Sequence, residues 1–258
     1  VSSGSIRFDR AAEYYDRTRG LPPEAMAQVV SVLAPELAPR GRCLEIGVGT
    51  GRIALPLAAA GVRMFGIDLS EPMLRKLLEK SRVVPVAMAD ATVLPFRDGT
   101  FGAGLAVHVL HLIPNWRGAV REMARVVRPR GAILIDLGGW AEDHTRDVER
   151  QFEAETGVPE RFVGLGQDSA GELDAELAKV GASPPRLLSV EVERRALSLD
   201  QHVQELEDGL FSWTWEIDEG VRRRAGRAVR EWAAERFGSL DEPRPVRGRM
   251  TWRAYDLP

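Results

Sequence analysis

The stretch Cys43-Leu44-Glu45-Ile46-Gly47-Val48-Gly49-Thr50-Gly51 decides how this chain is read. Arg42 to Ile46 is a short apolar run that suits a buried strand. Ile53, Leu55, Leu57 and Ala58 then recur at helical spacing until Gly61 stops them. The three glycines therefore sit between a strand and a helix. Alternate glycines let the backbone turn tightly and approach a ligand without Cβ clashes. The helix that follows points its free N–H groups at that ligand, which suits a carboxylate or a phosphate. Asp68 closes the next apolar run, Val62 to Ile67. An acid about 20 residues past such a loop grips a ribose diol in dinucleotide folds.

Spacing separates the cofactor classes. A dinucleotide fingerprint reads G-x-G-x-x-G. Here the pattern is G-x-G-x-G, with Glu45 two positions before the first glycine. That speaks against a nicotinamide-dependent oxidoreductase.

Working outward, Ser70 can cap a helix through Met73, Leu74, Leu77 and Leu78. Val84 to Ala89 reads as a third strand and Leu105 to Val109 as a fourth. Trp116 to Val127 is amphipathic, with Val120, Met123, Ala124 and Val127 on one face. Pro129 and Gly131 turn the chain into a fifth strand, Ala132 to Leu137. Strand and helix alternating in this rhythm imply a parallel sheet with right-handed crossovers. Arg146 to Glu155 and Ser169 to Val180 read as helices, and Leu187 to Val192 as a strand. Asp200 to Phe237 is largely helical, and Val246 to Tyr255 alternates as a last, antiparallel strand. The expected organisation is a helical arm over residues 1–38, a cofactor-binding domain over 39–196 and 246–258, and a helical cap insertion over 197–245.

The segments "LEIGVGTGRIALPLAAAG", "GIDLSEPML", "ADATVLPFRDGTF" and "EMARVVRPRGAILI" follow one another in the order seen in one family. Over residues 8 to 137 the chain resembles class I S-adenosylmethionine-dependent methyltransferases. The likeness is to the type 11 family that includes the ubiquinone/menaquinone-biosynthesis enzymes. The resemblance implies an α/β fold: a Rossmann-like, doubly wound sheet, mostly parallel with an antiparallel last strand. It implies S-adenosyl-L-methionine as cofactor and S-adenosyl-L-homocysteine as product.

The residue roles it implies are specific. Gly47, Gly49 and Gly51 would line the methionine half of the cofactor, and Glu45 would support the loop and the amino end. Asp68 would bond the ribose hydroxyls, and Leu69 and Met73 would pack on the adenine or ribose. Asp90 would face the adenine amino group, with the Ala91 backbone nearby. Tyr15 and Arg19, in "YYDRTR", resemble an N-terminal element that closes over the cofactor, where an arginine suits a carboxylate. Two positions depart from the family pattern: Gly102 stands where aspartate is common, and Arg130 where glycine is common.

Methyl transfer from a sulfonium is an in-line displacement that needs alignment and exclusion of water; a general base is optional. His108 and His111, in "VHVLHLIPNW", leave the fourth strand where ligands sit in such folds. They are the candidates for a base or a substrate-orienting group, because histidine titrates near neutrality. The alternatives are that His108 touches the cofactor and His111 only packs. No third ligand stands at suitable spacing, so no metal is expected.

Phe211, Trp213 and Trp215 could form an apolar lid or simply fill a core. Cys43 reads as a small buried hydrophobe. Arg222, Arg223, Arg224, Arg227 and Arg230 could be a solvated face or an anion-binding or RNA-binding patch.

Composition narrows the classes further. The 258 residues carry a net charge of -3, so nucleic acid is not the expected partner. No apolar run approaches the ~20 residues that span a bilayer, and no signal-type stretch opens the sequence. With the single cysteine, this gives a cytoplasmic expectation. Basic residues are nearly all arginine, which reads as coding bias of a GC-rich genome. The function expected is methyl transfer to a small-molecule acceptor. Transfer to tRNA or protein, or a binding protein that has lost turnover, are the competing readings.

Overall fold

A computed structural model describes residues 4–138, 144–160, 162–166 and 168–258. The chain opens with a short 3-10 turn, Asp9–Ala11, then helices α1 (Tyr15–Arg19) and α2 (Pro23–Leu37). Next come β1 (Arg42–Ile46), α3 (Ala54–Ala59), β2 (Arg63–Asp68), α4 (Glu71–Lys80) and β3 (Val86–Met88). They are followed by β4 (Phe101–Val107), α5 (Trp116–Val126), β5 (Val127–Asp136), α6 (His144–Thr156) and α7 (Ala170–Ala178). The chain ends with β6 (Arg186–Leu197), α8 (Leu199–Glu207), α9 (Glu219–Phe237) and β7 (Arg244–Asp256).

Among the described residues the sheet has seven strands in the order β3-β2-β1-β4-β5-β7-β6. β1 pairs in parallel with β2 and β4, and β5 in parallel with β4. β7 returns antiparallel to β5. This is the Rossmann-like arrangement expected from the alternating pattern. The strands are apolar because both sheet faces are covered. All seven residues of β4 are buried. Helix boundaries follow local chemistry. The Ser70 hydroxyl accepts from the Met73 N–H and starts α4, a cap worth about 1 kcal/mol.

Two strand starts differ most from the sequence reading, and β6 also runs on to Leu197 where Val192 was expected as its end. β4 begins at Phe101, because Gly102 lets the Arg40 carbonyl approach to where a Cβ would lie 1.6 Å away. That contact excludes the aspartate common at this position. β5 begins at Val127, ahead of the expected turn at Pro129 to Gly131. Phe101 pairs with Val127 and Ala103 already with Ala132, so the extra residues form a bulge. Arg130 carries the bulge at φ +61°, a conformation that glycine adopts more readily.

The chain divides into two compact units. The first comprises residues 1–139, 162–191 and 249–258; the second comprises 140–161 and 192–248. The second unit thus contains α6 as well as α8 and α9. Its core is built from Val148, Phe152, Leu199, Val203, Leu206, Ala225 and Val229. Phe211 and Trp213 pack against that core, and the Trp213 ring meets Phe152 edge to face at 5.9 Å. No described helix is long and apolar enough to cross a membrane.

Candidate functional site

β1, β2, β4 and β5 run parallel, so their carboxyl ends share one edge of the sheet, where ligands bind in this class of fold. The residues at that edge are the glycine loop, Asp68, the segment from His108, and Asp136. Gly47, Gly49 and Gly51 all have positive φ, at +68°, +54° and +80°. A Cβ on Gly47 would lie 2.4 Å from Cγ2 of Val109. Backbone, not side chain, is therefore what this loop presents. The Val48 N–H donates to the Ile67 carbonyl at 2.9 Å and fastens the loop to β2.

Asp68 organises the turn. Its Oδ2 accepts from the Gly49 N–H at 2.8 Å, and its Oδ1 from the Ser70 N–H at 2.9 Å. Burial pushes its pKa up, and these N–H donors oppose that shift. Each carboxylate oxygen can accept a second hydrogen bond, which leaves capacity for a diol. Leu69 is half-buried and Met73 fully buried, with the Met73 methyl against Gly49. Asp90 Oδ1 accepts from both the N–H and the hydroxyl of Thr92 at 2.8 Å, which sets the Ala91 turn.

Beside the loop lies a cleft lined by Tyr15, Glu45, Gly47, Val48, Arg52, Ile53 and Val107. Glu45 is buried, and desolvation lifts its pKa to about 8; Arg52 draws it down and Asp68 raises it further. Among the described residues, Glu45 Oε2 has no hydrogen-bond partner. A buried carboxylate oxygen left open on a cleft wall suits a cationic ligand group, as an ammonium would be.

The N-terminal arm is joined to the same loop. Thr50 Oγ1 donates to Asp16 Oδ1 at 2.6 Å, and Lys80 Nζ meets Asp16 Oδ2 at 2.5 Å. Arg52 Nη1 donates to the Arg19 carbonyl at 3.2 Å. The structure thus places Tyr15 on the cleft wall and the Arg19 backbone against Arg52. Asp16, Thr50 and Arg52 were not singled out from sequence. The signal available was Asp16 lying inside "YYDRTR" and Thr50 and Arg52 flanking Gly51.

His108 and His111 are separated in character. His108 has φ +50° and its Nε2 lies 3.3 Å from Oδ2 of Asp136. Asp136 is buried; its Oδ1 accepts from the Gly138 N–H at 2.7 Å, and burial raises its pKa to about 6. His111 meets the Phe162 ring edge to face at 5.4 Å. Burial, with a smaller contribution from His108, lowers the His111 pKa to about 4, so this ring is neutral at pH 7. Asp136 was not singled out in the sequence, where it reads as the plain end of an apolar strand.

Other candidates fall elsewhere. Cys43 is buried, and burial pushes its thiol pKa far up, so it is inert. In the second unit Arg222 is buried and donates to the carbonyls of Glu207 and Ile217. Arg223 pairs with Glu219, and Arg230 with Asp200 and Glu207. The arginine run is therefore used largely inside its own unit. Among the described residues, no group of His, Cys, Asp and Glu is arranged to hold a metal ion.

Residues 44–135 match the family described as a methyltransferase domain. Among curated relatives, the phosphatidylethanolamine N-methyltransferase of Cereibacter sphaeroides is 40% identical over 101 residues, 37% of this chain and 49% of that protein. A demethylmenaquinone methyltransferase of Corynebacterium urealyticum is 38% identical over 151 residues, 55% of this chain and 65% of that protein. The chain spans about half to just under two thirds of these relatives' length. In fold it is similar to Haemonchus contortus phospholethanolamine N-methyltransferase 2, solved with S-adenosylhomocysteine. That likeness has a TM-score of 0.55 at 15% identity and covers 97% of this chain and 57% of the other. Residues 44–135 are thus similar to methyltransferase domains in sequence, and the chain shares its fold with S-adenosylmethionine-dependent methyltransferases.

Proposed function

We propose that this chain transfers a methyl group from S-adenosylmethionine to a small-molecule acceptor. The observation that carries the reading is the loop itself. Three left-handed glycines expose backbone, Asp68 is locked beneath them by two N–H bonds, and the buried Glu45 oxygen opens on the adjoining cleft. That set suits the parts of this cofactor: a diol for Asp68, an ammonium for Glu45 and a carboxylate for backbone N–H groups or Arg19.

In this reading Gly47, Gly49 and Gly51 hold the methionine half, with Tyr15 and Arg19 closing from the arm. Leu69, Met73, Asp90 and Ala91 form the adenosine end, and His108 stands beside the sulfonium end. The bound cofactor supplies an electrophilic methyl group. The residues of the chain orient it, exclude water and hold the acceptor in line. The relatives named for quinone and phospholipid methylation support a small-molecule acceptor.

Calorimetric titration with S-adenosylmethionine, S-adenosylhomocysteine and NADH tests the proposal. Micromolar binding of the first two, without NADH, is expected. Binding of NADH alone would overturn it.

A further inference from the structure

We propose that Glu122 and Arg125 are positioning residues for adenine recognition: together they grip the backbone of Leu94 and so set the turn that carries Asp90 and Ala91. This rests on the methyltransferase reading above, in which that turn forms the adenosine end. It adds to that reading which side chains make the site selective for an adenine base.

The sheet places the start of the turn. Asp68 on β2 is the register partner of Met88 on β3, and the Ala89 N–H donates to the Asp68 carbonyl at 3.1 Å. Neighbouring strands lie about 4.8 Å apart. Asp90 therefore leaves the sheet one strand away from the acid assigned to the ribose diol. Bonds within the turn then give it its shape. The Val93 N–H donates to the Asp90 carbonyl at 3.1 Å, and Thr92 donates to Asp90 Oδ1 with both its N–H and its hydroxyl. Val93 itself is 73% exposed and gives no apolar anchor.

The far end of the turn is held from α5. The Leu94 N–H donates to Glu122 Oε2 at 2.8 Å, and the Leu94 carbonyl accepts from Arg125 Nη2 at 3.1 Å. The peptide groups on both sides of Leu94 are thus fixed in orientation as well as in position. Pro95 follows and has no N–H to contribute. Arg125 Nη1 reaches on to the Phe96 carbonyl at 2.8 Å and to Asp98 Oδ1 at 2.6 Å. The two side chains are also locked to each other, Arg125 Nε to Glu122 Oε1 at 2.7 Å and Nη2 to Oε2 at 2.8 Å. That bidentate bond holds the Glu122 carboxyl below its ordinary pKa. Val120 and Met123 pack α5 into the core, so the grip is carried by a fixed helix.

Apolar packing has a different task in this loop. Leu94 is buried, and the Phe96 ring meets those of Phe65 and Phe101 at 5.4 and 5.0 Å. Burial is non-directional, so it keeps the loop on the protein without choosing how its peptides face. Hydrogen bonds are directional and do choose. Loss of the Arg125 fork therefore leaves the loop attached and frees the turn to reorient. Direction matters for the base. Adenine carries an exocyclic amino donor where hypoxanthine carries a carbonyl oxygen. Acceptors of the turn favour the first and repel the second.

The test is calorimetry on the full chain with S-adenosylhomocysteine and S-inosylhomocysteine. The wild type is expected to prefer the adenosyl ligand about tenfold or more. In Arg125→Met that ratio is expected to fall about fivefold or more, because the turn no longer aims its acceptors. Arg125→Lys keeps the charge and loses the fork, and it is expected to lose most of the ratio too. It serves if Arg125→Met does not fold. Arg117→Met removes another arginine of α5, one paired with Glu172, and is expected to keep the wild-type ratio. Asp90→Ala is expected to lose the ratio as well, and the double variant with Arg125→Met to lose no more. An unchanged ratio in the Arg125 variants, an equal fall in Arg117→Met, or additive losses in the double variant overturns the proposal. Equal binding of the two ligands by the wild type overturns it too. Failure of the wild-type chain to bind S-adenosylhomocysteine at all sinks the methyltransferase reading itself, a separate result from an unmoved ratio.

Discussion

Asp16 and Thr50 lie 34 residues apart and are joined by a 2.6 Å hydrogen bond, which ties the N-terminal arm to the glycine loop. Lys80 closes the other side of the same carboxylate and also donates to the Thr50 carbonyl at 2.9 Å. One acid thus holds three elements together. Asp16 is exposed, so its ion pair with Lys80 contributes little by itself. The charge-assisted bond to the buried Thr50 hydroxyl is the stronger part. Asp16→Ala should therefore loosen the arm by about 1 kcal/mol. Faster cofactor release in stopped-flow and earlier proteolytic cleavage near Tyr15 are the expected readouts. Unchanged kinetics in both would show that the arm is held by other contacts.

Asp68→Ala removes the acceptor for two backbone N–H groups and for the ribose diol of the proposed cofactor. Binding should weaken by about 1.5–3 kcal/mol, from the loss of charge-assisted hydrogen bonds. Calorimetry measures it directly. Wild-type affinity would remove Asp68 from the site.

Gly47→Ala meets two obstacles of different kinds. The φ of +68° strains any L side chain, and the new Cβ would lie 2.4 Å from Val109. Cofactor binding should fall by tenfold or more, with about 1–2 kcal/mol lost from stability. Adding Val109→Ala should restore part of the loss, because it relieves the clash and leaves the strain. Full recovery in the double variant would show that φ contributes nothing there.

Glu45 makes stability depend on pH. Burial raises its pKa from 4.5 to about 8, so the folded chain keeps a proton that the unfolded chain releases. Its contribution to stability is present below about pH 4.5 and declines as pH rises through 8, by up to about 1.4 kcal/mol per unit. Glu45→Gln cannot ionise and should gain on the wild type between pH 5 and pH 8 in urea unfolding. Parallel pH profiles for the two proteins would contradict the assignment. In the proposed complex an ammonium beside Glu45 favours the ionised form. Binding at pH 7 should then release a proton in the wild type and not in the variant, seen by calorimetry in buffers of different ionisation enthalpy.

Arg222 should be the structural arginine of its run. It is buried and caps the carbonyls of Glu207 and Ile217, whereas Arg227 is exposed. Arg222→Met leaves those acceptors unpaired and should cost about 3 kcal/mol in chemical denaturation. Arg227→Met should cost less than about 0.5 kcal/mol. Equal effects would show that the helix does not use Arg222 as a cap.

Much of the first unit was legible before folding was considered. β1, β2 and α4 announce themselves because an apolar run, a capping serine and a stopping glycine act over a few residues. The glycine loop is legible for the same reason, since its spacing and its flanking acids are local chemistry. β5 was misplaced at its start because Pro129-Arg130-Gly131 has turn composition. Pairing with Phe101 and a bulge outweigh that local preference. The arginine run was ambiguous because its partners, Glu207 and Asp200, lie on a neighbouring helix.

The sequence by itself determined the order of strands and helices, the backbone-presenting loop and the acids beside it. Each of these follows from residue type and spacing within a window of a turn or a strand. Only the tertiary structure decided which polar groups meet. Asp136 faces His108 because the parallel register of β4 and β5 sets Val107 opposite the acid. Asp16 reaches Thr50 because the arm folds back onto the loop. His108 and His111 are alike as letters and differ as acids, since burial and nearby charge depend on what packs around each ring.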